Sequence, residues 1–169
     1  MVLGMTPFLF AHVAISLVAI ASGLAVLIGM IGNRRMEGLT ILFLVSTFAT
    51  SLTGFGFPIH GPTPALALGA ISIAVLAPTI LSRYAFGMRG SWRWIYVTGA
   101  TLALYFNCFV LVVQAFLKVP LLHAMSPDGT GLPFAIAQGA VLVFFAGAAI
   151  LAIRSFRPHY VFASSAINA

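Results

Sequence analysis

Amide and amine side chains follow one face of the most extended apolar stretch of the chain. In the segment from Ser91 to Pro120, Gln114 and Lys118 lie seven and eleven residues after Asn107, so a helix places all three side chains on one face. Lipid cannot satisfy such groups, so this face is predicted to turn toward other helices or toward a ligand. Amide donors there suit the carbonyl oxygens of a quinone headgroup or of another amphiphile.

Two further polar residues are predicted at a depth similar to that of Gln114. Gln138 and His12 each lie one to two turns inside an apolar span, near the same membrane surface. The predicted ligand-binding set therefore comprises Gln114, Asn107, Gln138, His12 and Lys118, in a polar pocket of the outer leaflet. The alternative is that the amides hydrogen-bond between helices and hold the bundle together, each contributing roughly 1 kcal/mol.

Histidines at the same membrane surface suggest a second kind of site. His12, His60 and His123 all fall on the outer side of the predicted topology. Neutral imidazole is a common ligand of metals and of haem, so a metal site or a b-type haem held by these residues is one hypothesis. The chain has no HxxxH or CxxC spacing that would place two ligands on one element. The alternative is that His60 and His123 are interfacial polar residues and that His12 is packed and hydrogen-bonded.

The elements that position these residues are membrane spans. Hydrophobic residues make up 62% of the 169 and charged residues 6%, whereas about a quarter of the residues of a soluble domain are charged. The apolar stretches predict an all-α bundle of five transmembrane helices, which forms a single integral-membrane domain over 1–169. The predicted spans are 7–31, 38–57, 64–82, 92–119 and 133–153. A re-entrant hairpin in place of the second and third crossings remains an alternative.

Basic residues predict the orientation of the chain. Seven of the eight are arginines, and five spans place all seven on one side. The positive-inside rule then puts the N-terminus outside and the C-terminus in the cytoplasm. We expect no nucleic-acid partner, because no basic helix face is interleaved with aromatic residues. We expect no cleaved secretory signal, because no positive region precedes the first apolar run.

Several short runs give the chain a family resemblance. The sequence GFGFP, the start WRWIY and the run NCFVLVVQAFLKVP, followed by PF and the span that carries Gln138, resemble a family of small multi-span bacterial inner-membrane proteins of unknown activity. The resemblance extends from Val13 to Arg157. It implies a helical bundle in a bacterial inner (cytoplasmic) membrane, and it implies no activity or site.

Three functional hypotheses follow from these residues. The first is a membrane protein without catalysis of its own, which acts as an accessory subunit of a membrane complex or binds a small amphiphile such as quinone. Its partners would be the lipid bilayer and other membrane subunits or further copies of the chain. The second is a redox subunit that holds haem or metal through the outer histidines. The third is a small transporter or channel, which is suggested by Ser46, Thr50 and Thr53 on one face of the second span. The absence of any Asp or Glu within the predicted spans argues against this third hypothesis.

Overall fold

The chain folds into a bundle of long helices. The computed structural model describes residues 6–57, 64–127 and 130–157, and within these ranges it contains six helices and no strand. The helices are α1 (Pro7–Ile31), α2 (Glu37–Gly54), α3 (Pro64–Tyr84), α4 (Ser91–Lys118), α5 (Pro120–Met125) and α6 (Leu132–Ser155). All but α5 are long and apolar enough to cross a bilayer. The protein is therefore a multi-pass α-helical membrane protein.

Local sequence signals explain several helix ends. The Thr6 hydroxyl accepts a hydrogen bond from the Leu9 backbone N–H at 3.3 Å, and Pro7 occupies the first turn of α1. At the end of α4, Pro120 lacks a backbone N–H donor and begins the short helix α5 after Lys118. The N-cap residue of α4 is Gly90, which has no side chain to cap the first turn.

Helix α4 is the centre of the bundle. It packs against α1, α2, α3, α5 and α6, whereas α6 packs mainly against α4 and α1. Inward-facing residues of α4 such as Val97, Ala100 and Leu104 are almost completely buried. Phe43 of α2 and Phe145 of α6 join the same apolar cluster. Polar residues of α4 are thereby held within reach of several other helices.

Candidate functional site

Asn107 connects the central helix to α2. Its side-chain Nδ2 donates a hydrogen bond to the Thr47 hydroxyl oxygen over 3.1 Å. Thr47 is 1% exposed, so this bond lies inside the bundle. The amide therefore joins two helices, which is the alternative role that the sequence had left open.

His12 makes a similar connection between α1 and α2. Its Nδ1 lies 2.7 Å from the Thr53 hydroxyl, and its ring meets Phe57 edge-on at 5.1 Å between centroids. The Thr53 hydroxyl proton is directed to the carbonyl of Ala49 at 2.7 Å. The His12–Thr53 hydrogen bond therefore ties α1 to α2.

Gln138 connects α6 to the central helix. Its Nε2 donates to the backbone carbonyl of Phe109 over 3.1 Å, and the residue is 9% exposed. The other amide atom, Oε1, is buried and has no hydrogen-bond partner. A buried acceptor without a donor is unfavourable, and a bound molecule with a hydroxyl or N–H group would satisfy it.

The three polar residues on one face of α4 have different surroundings. The Asn107 side chain faces α2, whereas the side chains of Gln114 and Lys118 are exposed. At about 1.5 Å per residue, α4 continues about 16 Å beyond Asn107, whereas α2 continues only about 10 Å beyond Thr47. The neighbour that covers Asn107 therefore ends about level with Gln114. Asn107 is therefore bonded inside the bundle while Gln114 and Lys118 are exposed, and the joint role of the five predicted ligand-binding residues stays a prediction.

The structure describes only some of the histidines that the sequence places on the outer side. His123 is exposed on α5, and His60 lies outside the described residues. Within the described ranges, no three His, Cys, Asp or Glu side chains are grouped so that they could hold a metal ion. A metal or haem site that includes His60 stays a prediction.

The opposite end of the bundle contains a buried charge that the sequence interpretation missed. The Arg83 side chain is 2% exposed, and its Nη2 donates to Oε2 of Glu37 over 2.6 Å. The guanidinium carbon lies 5.0 Å from the ring centroid of Tyr96, a cation–π contact. Nε of Arg35 lies 3.3 Å from Oε1, the other carboxylate oxygen of Glu37. We call Arg35, Glu37, Arg83 and Tyr96 the Arg83 cluster.

Other contacts gather the remaining arginine-bearing segments at the same end. Nη1 of Arg93, in the first turn of α4, donates to the carbonyls of Ile153 and Phe156 over 2.8 and 2.7 Å. The backbone N–H of Arg157 donates to Oδ1 of Asn33 over 2.8 Å. The α1–α2 loop, the α3–α4 connection and the end of α6 therefore lie together, as a five-span topology requires.

The fold and these contacts define the class of the protein, a five-span helical membrane bundle with interhelical hydrogen bonds on one side and a buried arginine on the other. Comparisons with protein-family models, curated proteins and solved structures gave no match. The resemblance to a bacterial inner-membrane family therefore stays an expectation.

Proposed function

We propose that the chain is a non-catalytic accessory subunit of a membrane complex. The observation that supports this is the use of its intramembrane polar groups: Asn107, His12 and Gln138 each bond to a neighbouring helix. Such bonds hold a scaffold together. Three of the residues that the sequence had suggested for a site thus have structural partners on neighbouring helices.

Helix α6 offers the face on which another subunit would pack. Its most apolar 18-residue window is 17% buried inside the chain, the lowest share of the five spans. Gly139 and Gly147 lie four residues on either side of Val143, and a Cβ at either glycine would meet no atom within 4 Å. Small residues on an open helix face let a second helix approach closely in a membrane.

Extraction of the tagged full-length chain from its native membrane in a mild detergent tests this function. We expect the chain to migrate as part of a larger assembly with a constant partner. Gly147→Phe, which fills the exposed face of α6, should release it from that assembly. The matched control Ala74→Phe enlarges an exposed residue of α3 and should leave the assembly intact. A monodisperse single chain from the native membrane would contradict the proposal.

A bound amphiphile is a second candidate, favoured by the unpartnered Oε1 of Gln138. A quinol hydroxyl would satisfy this oxygen. The exposed side chains of Gln114 and Lys118 lie further along α4, beyond Phe109, whose carbonyl Gln138 contacts. Solvent extraction of the same purified sample is expected to release a stoichiometric quinone or related lipid, and Gln138→Leu should reduce its amount. An extract without any such compound would exclude this role.

The proposal includes an orientation and a location. The chain lies in the inner membrane of a bacterium, and its arginine-bearing end faces the cytoplasm. Single cysteines in a Cys108→Ala background test it, because Cys108 is the only native cysteine. A membrane-impermeant maleimide added to intact cells should label Thr130→Cys and not Arg89→Cys, both at exposed positions. The reverse pattern would invert the topology.

A further inference from the structure

A groove runs between α2 and α3 on the surface of the bundle. It consists of two adjoining hollows of about 330 and 360 Å³, which share Phe48 and Ile80. Ile41 and Val45 line it from α2, and Leu76 and Tyr84 line it from α3. The walls are apolar side chains, so the groove suits a hydrocarbon chain.

The length of the groove matches one leaflet. Its lining runs from Ile73 to Tyr84 along α3, which at about 1.5 Å per residue is about 16 Å. Half of a hydrocarbon core of about 30 Å is about 15 Å. A transmembrane partner helix would pack along the full core, whereas an acyl chain from one leaflet needs only this depth.

The groove ends at the Arg83 cluster. Glu37 precedes Ile41 by about one helical turn, and Arg83 is adjacent to Tyr84 in the chain. Arg35, 42% exposed in its side chain, lies at this end and contacts Glu37 at 3.3 Å. With one carboxylate against two guanidinium groups, the cluster carries a net positive charge.

The start of α2 adds to this positive potential. The N-cap residue Met36 makes no side-chain hydrogen bond to the first turn. The first N–H groups of a helix without such a cap are open to an anion, and the helix dipole favours negative charge there. The groove thus ends at an exposed arginine and at a helix N-terminus whose first turn carries one carboxylate, that of Glu37, which is paired with Arg35 and Arg83.

We propose that this groove holds one acyl chain of an anionic phospholipid from the leaflet on the arginine side. The phosphate lies at Arg35 and the N-terminus of α2, and the acyl chain lies between Val45 and Ile80. Arg83 stays paired with Glu37 and supplies positive charge without direct contact. The site is separate from the α6 face and from the outer-leaflet amides.

Native mass spectrometry of the full-length chain in mild detergent tests the site. Phosphatidylglycerol and phosphatidylcholine with identical acyl chains are added at equal concentration. We expect the wild type to retain one phosphatidylglycerol at least fivefold more often than phosphatidylcholine. Arg35→Gln should abolish this preference, and Val45→Trp, at a residue 62% exposed, should reduce retention of both lipids.

Two matched variants serve as controls. Arg154→Gln removes an exposed arginine at the same end of the bundle, and Val143→Trp enlarges an exposed residue of α6. Both should behave as the wild type. Ile41→Trp provides a second groove-filling variant, with helical content checked by circular dichroism. Equal retention of the two lipids by the wild type would overturn the proposal. A wild-type dimer that Val45→Trp dissociates would also overturn it, because a second copy of the chain would then occupy the groove.

Discussion

Gly99→Leu is expected to lower the free energy of unfolding by about 3 kcal/mol, because overpacking a tight contact forces neighbouring side chains and backbone to shift. Gly99 of α4 lies against Thr79 of α3, and a Cβ at this glycine would overlap the Thr79 hydroxyl. Thr79 cannot easily yield, since it is completely buried and its hydroxyl donates to the Val75 carbonyl over 2.6 Å.

Reversible unfolding in mixed detergent micelles, followed by far-UV circular dichroism, measures this change. The matched control is Gly147→Leu, at a glycine of α6 where a Cβ would meet no atom within 4 Å. It should change the stability of the isolated chain little. Gly99→Ala combined with Thr79→Ala should recover part of the stability lost in Gly99→Ala alone. Equal effects of the two leucine substitutions would mean that α3 and α4 do not approach closely at Gly99.

Glu37→Gln is expected to destabilise the chain by about 2 kcal/mol, because it leaves the buried guanidinium of Arg83 without a compensating charge. Removal of one partner from a fully buried ion pair costs about 3–5 kcal/mol. The Glu37 side chain is 55% exposed, so water screens the pair and the expected cost is lower. Arg35→Gln breaks only the more exposed pair with Glu37 and should cost less than about 1 kcal/mol.

A double-mutant cycle separates charge pairing from packing. Arg83→Met removes the buried charge and keeps much of the apolar contact with Tyr96, so the double variant Glu37→Gln with Arg83→Met should be more stable than the sum of the single effects predicts. The same unfolding measurement gives all four free energies. Strict additivity would show that Glu37 does not compensate the charge of Arg83.

The membrane-spanning helices could be predicted because the length and hydrophobicity of each helix are properties of a single segment of the chain. A helix must remain apolar for about 20 residues to cross a bilayer, and the sequence shows such lengths directly. The structure confirms five long apolar helices. Both ends of α1 and the start of α3 coincide with the predicted ends, and the other ends differ by one to three residues; for example, α2 runs from Glu37 to Gly54 rather than from 38 to 57. Thr6 lies at the start of α1 and Pro120 follows the end of α4, because capping and the missing proline N–H act within one turn.

The partners of the polar residues could not be predicted in the same way. The spacing of Asn107, Gln114 and Lys118 fixes a common face of α4, but it does not fix which helix covers each part of that face. The C-terminal end of α2 decides that Asn107 contacts Thr47 while Gln114 is exposed. His12 is similar, since it finds its partner Thr53 only because α1 and α2 pack side by side.

The sequence by itself determined that this chain crosses a membrane several times, because hydrophobicity and helical rise are properties of single segments. Only the tertiary structure decided that Glu37 pairs with Arg83, 46 residues away, in addition to its sequence neighbour Arg35. The start of α2 lies beside the end of α3, and the rotation of α3 directs Arg83 inward against Tyr96. Helix adjacency and rotation are set by the packing of all the spans together, so no single segment encodes them.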